Sequence, residues 1–116
     1  MVLYGLQNCD TVRRARAWLA ERGVACDFHD FKKLGVPAGR LDAWIAAVGW
    51  QVLVNRQGST WRKLEPTTQQ SVVDGPSARA LLLVHSSVIK RPVVEWPDDQ
   101  ITVGFDVAQW PQRLRA

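Results

Sequence analysis

The sequence predicts one α/β domain: strand–helix–strand, then a helical block, then strand–strand–helix. Three observations carry that expectation. A short apolar run at residues 1–5 leads into an amphipathic stretch and a second β-like run within about thirty residues. Helical spacing dominates the middle of the chain. Two β-rich runs near the end are parted by the four turn-forming residues Pro97, Asp98, Asp99 and Gln100. A chain of 116 residues is long enough to bury a core without staples. No repeat or low-complexity tract interrupts it. The reading assigns residues 1–31 and 87–116 to the α/β core and residues 32–86 to an inserted all-helical lobe.

Residues 1–5 fit a buried strand. Asn8 or Asp10 is placed to cap the helix that follows, which runs to about Arg22 and is stopped by Gly23. Val12, Ala15, Trp18, Leu19 and Arg22 fall three and four apart and form its buried face, while Arg13, Arg14, Ala17 and Glu21 look outward. Residues 24–29 read as a second strand, and strand–helix–strand at this length implies a parallel crossover. A polar joint at residues 32–39 precedes Leu41, Trp44, Ile45 and Val48, a helix closed by Gly49. Residues 55–60 read as a loop around Gly58, followed by helices over 67–73 and 76–85. Residues 93–96 and 101–103 form the hairpin, and Asp106 is expected to cap a last helix reaching about Leu114.

Composition narrows the function classes. Hydrophobic residues are 47% and charged residues 22%, which is globular rather than disordered. The net charge of +4 comes with eleven arginines among fifteen basic residues, and arginine suits carboxylate and phosphate groups. No block of like charges marks a nucleic-acid binder, so no direct nucleic-acid partner is expected. The six tryptophans read as packing residues. The absence of a basic leader with an apolar core, and of any run near eighteen apolar residues, leads to the expectation of a cytoplasmic protein with no membrane partner. His29 and His85 stand apart from any cysteine or carboxylate pattern, so no metal is expected.

Cys9 and Cys26 are the two cysteines. Cys9 follows a strand and opens a helix, where unpaired N–H groups and the helix dipole favour an anion. Arg13, four residues on, can reach the same face and lower the thiol pKa, whereas the neighbouring Asp10 acts against it. The alternative for Cys9 is a small buried apolar residue. Cys26 falls early in the second strand, at the opposite end from Cys9 if the strands run parallel, and reads as packing.

Four stretches carry a resemblance to a known family. They are Tyr4-Gly5-Leu6-Gln7-Asn8-Cys9-Asp10-Thr11, Gly58-Ser59-Thr60-Trp61-Arg62-Lys63-Leu64, Ile89-Lys90-Arg91-Pro92 and Val103-Gly104-Phe105. In this order and spacing they resemble the YffB-like branch of the arsenate reductase (ArsC) and Spx family over nearly the whole chain. The resemblance implies a thioredoxin-like fold with an inserted helical lobe, a cis bond at Pro92 facing the cysteine, and Cys9 as nucleophile. It implies Arg91 and Arg13 as groups that stabilise the thiolate or hold substrate, with Arg56 a further match and Asn8 and Pro92 beside them. Two positions depart from the arsenate reductases. Residues 5–8 hold no histidine, and Gly104 stands near where a third arginine would fall. The Spx redox pair of cysteines is also absent, because Val12 occupies its second position.

The function expected on this basis is a glutathione-dependent thiol reductase or transferase in which Cys9 attacks a disulfide and an external thiol resolves it. Glutathione would be a co-substrate, no cofactor would be bound, a glutaredoxin or other thiol protein is the expected partner, and the protein would be a monomer. The alternatives are an Spx-like protein-binding regulator of the transcription machinery and an arsenate reductase. Trp61, Arg62 and Lys63 are a family landmark to which no chemistry is assigned.

Overall fold

The computed structural model of the protein describes residues 1–114. Strand β1 (Val2–Gly5) leads to helix α1 (Asp10–Glu21) and strand β2 (Asp27–Asp30). Six helical segments follow: α2 (Phe31–Leu34), α3 (Ala38–Val48), α4 (Trp50–Leu53), α5 (Ser59–Arg62), α6 (Pro66–Gln70) and α7 (Gly75–Val84). Strands β3 (Val93–Glu95) and β4 (Ile101–Val103) and helix α8 (Trp110–Arg113) complete the described chain. It divides into two compact units. Among the described residues, one holds 1–30 and 91–114, the other 31–90.

The first unit is a four-stranded sheet in the order β2-β1-β3-β4. β1 pairs in parallel with β2, Leu3 opposite Phe28, and antiparallel with β3, Leu3 opposite Val94. β3 and β4 form the hairpin, Val94 opposite Thr102. This is the α/β arrangement that the element order predicts and the thioredoxin-like sheet that the resemblance implies. The alternation of a strand sends Leu3 and Val94 to one face, where they meet Val12, Ala15, Trp18 and Leu19 of α1 and Trp110 of α8. The predicted buried face of α1 is the one that packs.

Aromatic edges hold that layer together. Trp110 sits 5.8 Å from Trp18, 5.1 Å from Trp96 and 4.7 Å from Phe105, each near a T-shaped angle, where the positive ring edge meets the negative ring face. Trp96 also donates its indole N–H to Thr102 at 2.8 Å. On the other face of the sheet Tyr4 donates to Glu95 at 2.7 Å, and its ring lies 5.0 Å from that of His29.

The second unit is all-helical. Its buried side chains include Phe31, Leu41, Trp44, Leu53, Leu82 and Ile89, with Phe31 and Trp44 in ring contact at 6.2 Å. A bridge between Val54 and Ile89 ties its middle to its end, and Lys90 donates to the Leu53 carbonyl at 2.8 Å. Helix α7 begins in a capping box: Asp74 accepts from the Ser77 backbone while Ser77 Oγ accepts from the Asp74 backbone. Four of the six tryptophans are buried; Trp50 and Trp61 are half-exposed.

Several boundaries differ from the sequence reading. α1 is capped by Cys9 itself, not by Asn8 or Asp10. β2 starts at Asp27 because the chain after Gly23, at φ +67°, is still completing the turn off α1, which leaves Cys26 just ahead of the strand. The polar joint contains the short helix α2, whose Phe31 is buried. The helix expected over 67–73 is α6, which stops at Gln70 because Asp74 and Ser77 draw the following backbone into the next cap. Asp106 does not cap α8: its side chain accepts from Ala108 at 2.9 Å and closes a turn, and the helix begins only at Trp110. Among the described residues no helix is long and apolar enough to cross a membrane.

Candidate active site

The site is built where β1 ends and α1 begins. Gly5 is the last residue of β1, and a Cβ there would lie 2.7 Å from Val12 Cγ2, closer than any real contact. The bare glycine therefore lets the first turn of α1 settle against the strand end, and Val12 is fully buried as a result. The Cys9 N–H donates to the Leu6 carbonyl at 3.2 Å, closing the connecting turn, and the Cys9 carbonyl accepts the first helical hydrogen bond from Arg13 at 2.9 Å. Cys9 is the N-cap, with extended backbone angles of φ −89° and ψ 123°.

No side-chain oxygen caps this helix. The sulfur stands in that place, facing N–H groups that have no helical partner. Burial pushes the Cys9 thiol up, but the Val12 N–H, the hydrogen bond and charge of the Arg91 guanidinium, and the Thr11 N–H together outweigh it, so the thiol lies below its ordinary pKa. The site is thus a half-buried cysteine sulfur held between a helix N-terminus and an arginine, both of which favour its thiolate form.

Arg91 comes to the sulfur from the far end of the sequence. It immediately precedes Pro92 at the entry to β3, and the Arg91–Pro92 bond is cis. The Pro92 carbonyl accepts from the Gly104 N–H at 2.8 Å, which joins this corner to the end of β4. Gly104 has φ +91°, a conformation that an arginine would adopt only under strain.

The other candidate residues are placed differently. Arg13 is engaged by Asp10 in an ion pair on the helix surface, because a carboxylate three residues back on the same helical face is a stronger acceptor for a guanidinium than the sulfur. Asn8 is exposed in the turn before Cys9. Arg56 belongs to the helical unit, where its guanidinium lies 5.4 Å from the Trp61 ring and 5.9 Å from that of Trp50. This contact gives Trp61 a local role as a flat surface for a cation.

Cys26 has the opposite chemistry. Burial raises its thiol above the ordinary value; the N-terminal ammonium is the next largest influence and lowers it, Asp27 adds to the rise, and the Leu3 backbone and Arg16 lower it slightly. Both cysteines are free. Among the described residues no group of three histidine, cysteine, aspartate or glutamate side chains could hold a metal ion. The sequence anticipated the unpaired N–H groups of the first turn, which are those of Thr11 and Val12, but not the packing role of Gly5. A glycine closing a strand directly before a helix-opening cysteine is the signal that points to it.

With this geometry in place, comparison with known proteins assigns the family. Residues 4–112 match the ArsC family model. The chain belongs to the ArsC family. It is 33% identical over 110 residues to an uncharacterized protein of Haemophilus influenzae, covering 95% of each chain. Its structure is similar to that of a YffB protein, with a TM-score of 0.89 and 41% identity over 97% of both chains. It is also similar to an arsenate reductase (ArsC) related protein from Brucella melitensis, with a TM-score of 0.75 and 43% identity over 99% of this chain and 94% of that one. An arsenate reductase from Vibrio cholerae shares the fold at a TM-score of 0.70 and 16% identity, over 98% of this chain and 94% of that one.

Proposed function

We propose that this ArsC-family member is a thiol–disulfide reductase that uses Cys9 as its single nucleophile and glutathione as co-substrate. The observation that carries the reading is the Arg91 guanidinium on the Cys9 sulfur at the N-terminus of α1. The arsenate-reductase-related character of its relatives supports thiol chemistry in general.

In the proposed reaction the Cys9 thiolate attacks the glutathionyl sulfur of a mixed disulfide. The Cys9–glutathione disulfide forms, the old S–S bond breaks, and the substrate leaves as its thiolate. A second glutathione thiolate then attacks the glutathionyl sulfur, releasing oxidised glutathione and restoring the Cys9 thiolate. The net change consumes one glutathione thiol: the mixed disulfide is reduced to the free substrate thiol and its glutathionyl group leaves as oxidised glutathione. Cys26 takes no part, because its thiol is held protonated. A glutaredoxin or another thiol protein can supply the second thiol in place of free glutathione, and a reducing compartment such as the cytoplasm keeps the cycle turning.

The test is to incubate the reduced protein with oxidised glutathione from about pH 5 to 9 and follow mixed-disulfide formation at each cysteine by peptide mass spectrometry. Rapid modification of Cys9 well below the usual thiol pKa of ~8.5, with Cys26 inert, supports the proposal. A Cys9 that reacts only as an ordinary thiol removes it.

A further inference from the structure

Away from Cys9, a half-open hollow of about 350 Å³ lies along α1 where the helix passes the chain that enters β2. It exists because α1 carries only methyl groups there. Ala17 and Ala20 are too short to fill the space between the helix and Val24, and the buried Leu19 forms the floor. Arg16 stands at the rim, its guanidinium 4.1 Å from the centre of the Phe28 ring. Stacking on a ring face fixes the plane of a guanidinium and leaves its edge N–H groups to other partners. Arg13, Arg22 and Arg79 each pair with a carboxylate, whereas among the described residues Arg16 makes no hydrogen bond and no ion pair. No carboxylate lines the hollow. Besides Arg16, its ionisable group is the Cys26 thiol, which burial favours in the protonated form and which donates to the Asp27 carbonyl at 3.5 Å.

We propose that this hollow is a binding site for a small monoanion with an apolar body, of the class of a medium-chain carboxylate, whose charged end pairs with Arg16 and whose chain covers Ala17, Ala20, Val24 and the Cys26 sulfur. The volume has room for roughly ten non-hydrogen atoms. Apolar walls with one well-placed polar group at the edge are how small-ligand sites are built. Burial of the apolar lining supplies the affinity, and Arg16 selects the sign of the charge. A neutral molecule leaves the cation unused, a second negative charge finds no further cation in the lining, and a cationic ligand is repelled. The site shares no residue with Cys9 and Arg91, so it stands whether or not the reductase reading does.

The test uses hexanoate, with hexanol and hexylamine as the same chain without the negative charge, on the reduced full chain in low salt. The expected result is a saturable shift of the Ala17, Ala20, Val24 and Cys26 amide signals in NMR spectra, with a dissociation constant of about 1–10 mM for a ligand of this size. Hexanol should bind about two- to fivefold more weakly and hexylamine more weakly still, and Arg16→Gln should erase the preference for hexanoate over hexanol. Hexanoate at its dissociation constant should also slow iodoacetamide alkylation of Cys26 about twofold at about pH 9, with the Cys9 rate unchanged, as separated by peptide mass spectrometry. Ala20→Met fills the hollow from an exposed helix position and should abolish both effects. The proposal is overturned if the shifts do not saturate or fall elsewhere on the chain. It is overturned equally if hexylamine binds as well as hexanoate, or if Arg16→Gln leaves the preference for the anion intact.

Discussion

Cys9 and Cys26 are the same side chain, both half-buried and both in the sheet unit, yet the protein drives their thiols in opposite directions. Burial is the largest influence on each and raises both. At Cys9 it is overcome because the residue caps a helix, so N–H groups without helical partners face the sulfur and Arg91 adds a cation. At Cys26 the chain is still leaving a turn and no helix opens, so burial prevails: the N-terminal ammonium that lowers the thiol is countered by the carboxylate of Asp27. The direction in which each thiol shifts is set by where the backbone places the sulfur, not by how exposed it is.

The sharpest way to break the comparison is to exchange the roles. Cys9→Ser is expected to lower glutathione-linked turnover by about 10³-fold or more, while Cys26→Ser leaves it within about twofold; steady-state kinetics decides. Equal losses from both would mean that the contrast has no functional content. Next in size is Arg91→Ala, which should weaken glutathione about tenfold to a hundredfold, as expected for a charge-assisted hydrogen bond, and move the pH profile of Cys9 alkylation upward. The Cys26 profile should not move.

Gly5→Ala tests the scaffold beneath the same sulfur. The added methyl group collides with Val12, so a loss of about 1–3 kcal/mol in denaturant unfolding is expected, and Gly5→Ala with Val12→Ala should recover part of it. Gly104→Ala, at φ +91°, should cost about 1 kcal/mol by the same measurement, with Cys26 alkylation unaffected.

The smallest effect is on the pH dependence of stability, and the two thiols give it opposite signs. The folded pKa of Cys9 lies below its unfolded value, so its contribution is present above the unfolded pKa and fades as pH falls through the folded one. Cys26 has a raised folded pKa, so stability is lost as pH rises past its unfolded value. As pH rises toward the ordinary thiol pKa of about 8.5 the parent should therefore gain stability relative to Cys9→Ser, and as pH rises past that value it should lose stability relative to Cys26→Ser, as read from unfolding midpoints.

Much of this protein was legible in one dimension. The 3.6-residue spacing of Val12, Ala15, Trp18 and Leu19 named the face of α1 that packs, since a helix must bury whichever stripe is apolar. The strand–turn–helix around Cys9 and the hairpin around residues 97–100 followed from local rules of the same kind, in which each residue acts on neighbours a few positions away. Cys9 as the reactive candidate was legible for that reason too: the helix end that faces its sulfur is encoded within four residues.

What the tertiary structure decided were contacts among residues distant in sequence and competitions among near neighbours. Arg91 lies more than eighty residues from Cys9 in the sequence, and only the pairing of β1 with β3 carries it to the sulfur. By spacing alone Arg13 could serve either Cys9 or Asp10, and only three-dimensional geometry shows that it pairs with Asp10. The cap of α1, the early stop of α6 and the late start of α8 were settled in the same way, by hydrogen bonds that several residues could have made and one did. Local periodicity determines which segments form and which faces they bury; the meeting of those faces determines which charges share a site.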